Sequence, residues 1–447
     1  MNNIVTIKIN PDQHSELGIH PDKAVALELR SRKYACLSFG NRKQYVKIKM
    51  NPEISPEHLI LSPNLIEGLH LPDYPVYEIN IIHNEIVIGP YIGLLVSNEE
   101  RKLTSSRLNK MLVYVKEYAK LHGAVVVFAL NQVDQKNRLI EGYCFHPGRG
   151  CWQRGIFPYP ASIYRTIGLS PEWKNHFLAA LGERIFNSRF FNKWEMIQWF
   201  SKEPAIAPYL PETVLYQAPE DLLEMIQRFS KIYIKPILGL QGRGIFRLCV
   251  ENQRLILEYR ERGGNRRTIF PDQGQVVKYL GERLRPGRYL VQQAIDLLEY
   301  KGGLIDFRCV VQKNQANQWI CQAIIGRSGV KESIVSNISS GGAAFTAENI
   351  LRKAMPGSEA VVAETQNKIA ALALKVCNQL DEYGINLGTL GLDIGLDSQG
   401  RLWLIEINNR DPDPGIALDI RDTQLYYTLK TGPLFYAKFL AGFTEES

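Results

Sequence analysis

Near the end of the 447-residue chain, within Gly388–Asp413, stand two carboxylates and a carboxamide: Asp393, Glu406 and Asn408. They lie in two apolar-rich runs, LGLDIGL and RLWLIEIN, separated by Asp397-Ser398-Gln399-Gly400, a pattern that reads as a β-hairpin. If Gln399-Gly400 is a two-residue loop, Asp393 lies directly across from Glu406. A slip of two leaves them diagonal on the same face, about 7–8 Å apart at Cα. Asn408, two residues beyond Glu406, points to that face as well. Gly391 and Gly395 flank Asp393 there, while Leu392, Ile394, Leu396, Trp403, Ile405 and Ile407 are assigned to the other face. Hard oxygen donors on a roomy surface suit Mg²⁺, which takes a few carboxylates with phosphate oxygens and water. An amphipathic hairpin with a solvated polar face fits the same pattern.

A second stretch, Ile232–Arg247 (IYIKPILGLQGRGIFR), carries phosphate-binding chemistry. An apolar strand delivers Lys235, and a loop with Gly239, Gln241, Gly242 and Gly244 follows. Glycines permit positive φ and close backbone approach, so several N–H groups can surround phosphate oxygens, and a lysine adds a point charge. The Walker pattern GxxxxGK[ST] is absent from this stretch, and an ordinary hairpin loop is the competing reading. Further on, Asp306 and Arg308 share one face of a strand by their spacing of two. Arg327 ends the neighbouring strand, and Asn337 with Ser340-Gly341-Gly342 follows in a small-residue loop. Arginines on strands also serve simply as cross-strand partners.

The elements that must position these groups divide the chain in three. Residues 1–90 alternate as short strands (IVTIKI, AVALELR, YACLSFG, YVKIKM, VYEINII, EIVIGP) between Pro, Gly and Asn turns, with a short helix within Leu59–Leu69. They predict a small barrel or sandwich without chemistry of its own. Residues 91–184 begin strand–helix–strand (Ile92–Val96, Thr104–His122, Ala124–Leu130), a parallel β-α-β unit. There Glu141–Ile167, rich in Gly, Pro, aromatics and Arg, reads as a surface loop. From 185 to 447, helices and more numerous strands predict an α+β architecture. Composition is that of a globular protein, 45% hydrophobic and 22% charged, and the net charge of +7 is scattered. It argues for neither nucleic acid nor a polybasic membrane anchor. Seven cysteines without a C-x-x-C pair read as buried reduced thiols. The N-terminus lacks a signal-like apolar core, and the longest apolar run, around Ala124–Leu130, falls far short of the ~20 residues of a membrane span.

Lys235-Pro236 with its glycine loop, Asp306-Phe307-Arg308, Arg327…Asn337…Gly341-Gly342, Gly391-Leu392-Asp393 and Glu406-Ile407-Asn408 occur in that order. Over about 185–440 the chain resembles an ATP-grasp enzyme, with local similarity to the nucleotide-binding region of bacterial glutathione synthetases. With its β-rich front and its PYLPET segment (Pro208–Thr213), the whole most resembles the YheC/YheD-type endospore coat-associated ATP-grasp family. The resemblance implies a two-lobed ATP-grasp unit preceded by a small α/β pre-grasp domain and the β-rich module. It implies ATP with two Mg²⁺ ions, and a location in the mother-cell cytoplasm or the spore coat, with spore-coat proteins as partners.

Residue by residue, the resemblance assigns Lys193 and Lys235 to the nucleotide phosphates and Gly239–Gly244 to a loop closing over them. In Tyr289–Ile295 (YLVQQAI) it places adenine, against Gln292, Gln293 and the Ile295 N–H, and Asp296 or Asp306 receives the ribose hydroxyls. Asp393, Glu406 and Asn408 become magnesium ligands. Arg308, Arg327 and Asn337 become donors to an acyl phosphate and its tetrahedral successor. The implied reaction joins a small-molecule or peptide carboxylate to an amine at the expense of ATP. Two other readings stay open: a structural coat protein that binds nucleotide without turnover, and phosphoryl transfer to a hydroxyl. One departure stands out: Asn409-Arg410-Asp411-Pro412-Asp413-Pro414 is more charged than the matching end of glutathione synthetases, so glutathione is not carried over as product.

Overall fold

The computed structural model describes residues 3–11, 15–187, 189–239, 244–261, 264–331, 341–355, 357–410 and 412–444. Seven strands, β1 (Ile4–Ile9), β2 (Glu16–Ile19), β3 (Tyr34–Phe39), β4 (Arg42–Met50), β5 (His58–Leu61), β6 (Val76–Ile82) and β7 (Glu85–Gly89), close into a barrel in the order β1-β5-β2-β4-β3-β7-β6. Alternate residues such as Leu17, Leu37, Phe39, Leu61 and Tyr77 fill its interior, as closure of a small barrel requires. AVALELR is not a strand. Pro21 occupies the first turn of helix α1 (Pro21–Ala26), where its missing N–H costs nothing and its φ is preset, and His20 accepts the Asp22 N–H at 3.1 Å. Helix α2 (Pro63–Leu69) also begins on a proline.

The next sheet runs β11-β10-β9-β8-β12-β13. Strands β8 (Tyr91–Ser97), β9 (Ala124–Asp134), β12 (Ser162–Arg165) and β13 (Ile185–Phe186) pair in parallel, and β10 (Leu139–His146) and β11 (Cys151–Pro158) add an antiparallel edge. The expected helix over Thr104–His122 is broken into α3 (Ser105–Met111), a 3-10 turn over Leu112–Val115 and α4 (Tyr118–Leu121). The expected loop over Glu141–Ile167 is instead largely strand. Gly142 and Gly155 face each other where a Cβ would strike the Val127 carbonyl and the Phe157 ring, and Arg154 pairs with Glu141 across the strands. Glycine and arginine here serve sheet packing, not a loop. Of the seven cysteines, all free, Cys151 is exposed, against the expectation of uniform burial, while Cys144, Cys249, Cys309 and Cys377 are buried.

After α5 (Pro171–Leu181) and α6 (Lys193–Phe200), two antiparallel sheets follow. The first orders β14 (Thr213–Leu215), β19 (Tyr289–Gln293), β15 (Lys231–Pro236), β16 (Phe246–Glu251), β17 (Arg254–Glu261) and β18 (Gly264–Phe270), under α7 (Pro219–Phe229) and α8 (Gln273–Gly281). The second orders β23 (Ala343–Thr346), β22 (Trp319–Ser328), β21 (Gly303–Lys313), β24 (Thr389–Leu396) and β25 (Leu402–Asn408), with β20 (Glu299–Tyr300) on β21. Helices α9 (Ala347–Ala354) and α10 (Glu359–Glu382) bury its apolar face. After α11 (Ile416–Asp419), helix α12 (Thr423–Leu440) returns to the parallel sheet, packing Leu434, Tyr436 and Ala437 against Ile92 and Val125. Among the described residues no helix is long and apolar enough to cross a membrane.

Candidate active site

The hairpin pairs Asp393 with Glu406 and Gly391 with Asn408, in the expected register. Its turn is longer than two residues: Asp397 Oδ1 accepts the N–H groups of Gln399 and Arg401, and Oδ2 accepts Trp403 Nε1 at 2.8 Å. That alone would displace Glu406. A β-bulge between the Asp393 and Ile394 pairs absorbs the extra residue, so Ile394 faces Leu404 while Asp393 still faces Glu406. The bulge reverses the side assignment beyond it. Leu402 and Leu404 enter the apolar core, whereas Trp403 lies opposite Gly395 and Ile405 packs over it. The expectation that Trp403 and Ile405 fill the core face is thus corrected.

Four adjacent strands present charge to one side of this sheet. Asp306 pairs with Arg327 between β21 and β22, and Arg308 with Asp393 between β21 and β24. Arg327 donates Nε and Nη2 to Asp306 at 2.7 and 2.5 Å and reaches Asp393 Oδ2 at 3.1 Å. Arg308 donates Nε and Nη2 to Asp393 at 2.5 and 3.2 Å. Burial alone would raise the Asp393 carboxyl, but Arg308 and Arg327 outweigh it and hold it at about 2. The same two aspartates, against the effect of burial, push the Arg327 guanidinium further up. Among the described residues neither arginine uses its Nη1. Asn408 Nδ2 lies 3.4 Å from Asp393 Oδ2.

Helix α6 and strand β15 of the other antiparallel sheet contribute cations. A capping box, with Asn192 Oδ1 accepting from Trp194 and Glu195 and Glu195 Oε2 accepting the Asn192 N–H, starts α6 at Lys193. Lys193 Nζ meets Glu406 Oε1 at 2.9 Å and donates to the Gly239 carbonyl at 3.3 Å. Lys235, on β15, donates to Gln292 Oε1 at 2.7 Å, and Gln292 in turn donates to Thr213 Oγ1 at 2.9 Å. Desolvation lowers the Lys235 ammonium to about 8, against the pull of Glu406. Gly244 holds φ at +72° beside Pro236, a conformation suited to glycine.

Lys193, Lys235, Gly239, Gln292, Asp306, Arg308, Arg327, Asp393, Glu406 and Asn408 therefore form one connected charged cluster. Gln293 turns its carboxamide to the Glu212 N–H (3.2 Å), and the Ile295 carbonyl accepts from Leu297. Asp296, with an exposed side chain, pairs with Lys231 at 2.7 Å, outside the cluster. Gln241, Gly242 and Asn337 lie outside the described residues. The roles of three supporting groups escaped the sequence reading. Asp397, already placed in the turn, also fastens it through its side chain, for which the D-x-x-G spacing was the available signal. Thr213 orients Gln292. Asn409 ties β25 to α6 by donating Nδ2 to the Phe191 carbonyl at 2.9 Å.

A family model described as YheC/D like ATP-grasp matches residues 182–440. The chain belongs to this ATP-grasp family. It is 28% identical over 367 residues to endospore coat-associated protein YheD of Bacillus subtilis (strain 168), covering 79% of each chain. Endospore coat-associated protein YheC of the same organism is 26% identical over 257 residues, covering 57% of this chain and 68% of the relative. Among solved structures, D-alanyl-alanine synthetase A from Vibrio cholerae aligns with TM-score 0.42 and 12% identity, over 77% of this chain and 98% of its own. VanG D-Ala:D-Ser ligase from Enterococcus faecalis aligns with TM-score 0.45 and 10% identity, over 78% and 100%.

Proposed function

We propose that the protein is an ATP-dependent carboxylate–amine ligase working through an acyl phosphate. The observation that carries this reading is the meeting of Lys193, Lys235, Arg308 and Arg327 with Asp393, Glu406 and Asn408 in one connected cluster. Each cation here is balanced by a carboxylate or a carboxamide, and each is a group suited to phosphate oxygens.

Lys193 and Lys235 bind the nucleotide phosphates. Arg308 and Arg327, clamped by Asp393 and Asp306, keep their orientation and offer Nη1 to charge developing on the reacting group, without reorganisation at the moment of reaction. A carboxylate oxygen of the substrate attacks the γ-phosphorus as ADP leaves. The amine nitrogen then attacks the acyl carbon, phosphate departs with the bridging oxygen, and the amine gives up a proton. Two carboxylates and a carboxamide on paired strands fit a hard divalent cation, so Asp393, Glu406 and Asn408 are the residues that would hold magnesium. Bound there, Mg²⁺ would neutralise phosphate charge. Gln292 orients Lys235 and lies on β19, the strand we assign to adenine.

Incubation with Mg·ATP and a panel of carboxylic acids and amines, followed by mass spectrometry, tests the reading. ADP, phosphate and an amide product are expected. ADP with a phosphorylated hydroxyl would replace ligation by phosphoryl transfer. A second reading is favoured by the names of YheD and YheC as coat-associated proteins: a coat component that binds nucleotide for assembly. Tight ATP binding with no turnover across the panel would select it.

A further inference from the structure

One cavity lies apart from the hairpin carboxylates, where the end of β12 and α5 meet the C-terminal end of α10. Its volume is about 230 Å³, and Arg165, Lys174 and Arg189 line it with one acid, Glu183, beside Tyr383 and Ile385. Arg165 is only 3% exposed. Its Nη1 donates to the Ile167 carbonyl at 2.6 Å, and its guanidinium packs 4.5 Å from the centre of the Phe190 ring. Among the described residues no carboxylate pairs with it, and Nε and Nη2 have no hydrogen-bond partner. A second guanidinium, Arg410, packs on the same ring at 5.1 Å. Burial, then the charge of Arg410, lowers the Arg165 guanidinium to about 10. Of the other cations, Arg189 is matched by Glu195 at 2.8 Å, whereas Lys174 has no counter-ion among the described residues.

A buried cation is normally paired, because desolvation without compensation is costly. Here the fold supplies a second positive charge in place of a negative one. An oxyanion in the cavity would receive the two idle donor positions of Arg165 as charge-assisted bonds. The Phe190 ring links Arg165 of the cavity to the end of the hairpin: Arg410, on the same ring, follows Asn408 by two residues, and the Asn409 bond to Phe191 fastens the Phe190–Phe191 segment to the end of β25.

We propose that this cavity binds an anionic group, carboxylate or phosphate, carried by the molecule that is ligated. The identity of that molecule as a ligation substrate rests on the reading above; the site itself rests on Arg165, Lys174 and the cavity.

The test uses the full chain saturated with magnesium and a non-hydrolysable ATP analogue, so that the nucleotide phosphate positions are filled. Inorganic phosphate and glutarate are then titrated separately by calorimetry. Saturable one-site binding of either is expected, and which one binds tells phosphate from carboxylate. Arg165→Met should weaken it at least tenfold. Lys174→Gln, at an exposed helix position, should weaken it about threefold and decides the matter if Arg165→Met does not fold. Analogue affinity should stay within twofold in both. Binding of neither anion, or binding that neither substitution changes, overturns the site. Failure of the analogue to bind sinks the nucleotide reading instead, and the anion titration without it then decides this site alone.

Discussion

Lys193 Nζ and Glu406 Oε1 meet at 2.9 Å, joining the first residue of α6 to the middle of β25. The same ammonium reaches the Gly239 carbonyl, so one lysine touches both the acidic hairpin and the start of the glycine loop. A phosphate entering between them would draw on both contacts.

Lys193→Met should therefore act on binding more than on folding. The pair is partly exposed, with side chains 16% and 28% accessible, and such pairs contribute about 1 kcal/mol or less. Calorimetry should show Mg·ATP affinity falling on the order of tenfold, equivalent to about 1.4 kcal/mol, with the urea midpoint nearly unchanged.

Lys235 gives the site a pH dependence. With its ammonium lowered to about 8 by burial, it carries charge at pH 7 and loses it as pH rises through about 8. Mg·ATP affinity measured from pH 7 to 9 should fall in the wild type, and Lys235→Arg, which stays charged, should flatten the profile. Stability runs the other way. The unfolded chain holds this proton to higher pH than the folded one, so this lysine makes folding more favourable as pH climbs from about 8 toward the ordinary lysine value of 10.5.

Arg327→Met removes the partner of two buried carboxylates, Asp306 and Asp393. Breaking such a network costs about 3–5 kcal/mol, measurable by urea unfolding at pH 7. The Asp393 carboxyl, held at about 2 in the fold, lies below the unfolded value of about 3.9. Its contribution is present above about pH 4 and is lost as pH falls through about 2. Variant and wild type should converge as pH falls from about 4 toward about 2 and Asp393 takes up its proton.

Lys438→Met tests how the barrel is fastened. Lys438, on α12, is buried and pairs with Glu78 of β6, which also meets His122 Nδ1 at 3.0 Å. Asn80 of β6 donates to the Gly442 carbonyl at 2.8 Å nearby. Leaving Glu78 to His122 alone should cost about 1–3 kcal/mol in urea unfolding at pH 7, with Mg·ATP affinity unchanged.

Much of this was legible from residue type and spacing. Alternation around a D-x-x-G turn placed Asp393 opposite Glu406, and apolar runs located the parallel strands β8 and β9. What escaped depends on partners distant in sequence. Nothing near Ile405 announces the bulge that turns Trp403 and Ile405 away from the core, because the turn's extra residue is absorbed only where β24 demands pairing. The Asp306–Arg327 bond follows from the registry of β21 with β22, so Asp306 read alone offered itself to a ribose. Glycines and arginines in 141–167 suggested a loop because their packing partners, Val127 and Phe157 among them, were invisible. Arg165 fell within that expected loop, so its burial, with no counter-ion among the described residues, was equally invisible.

Ligation by this site depends most directly on Glu406. Glu406→Gln keeps the shape of the side chain and removes the charge that faces Lys193 and lies opposite Asp393. A hard cation's contribution to a phosphoryl-transfer barrier is several kcal/mol, on the order of a hundredfold or more in rate. The measurement is ADP formation from Mg·ATP in the presence of metabolite extract, for wild type and variant at matched thermal stability. Turnover is expected in the wild type, with a loss of at least about a hundredfold in Glu406→Gln; equal turnover in the two would contradict a metal-holding Glu406.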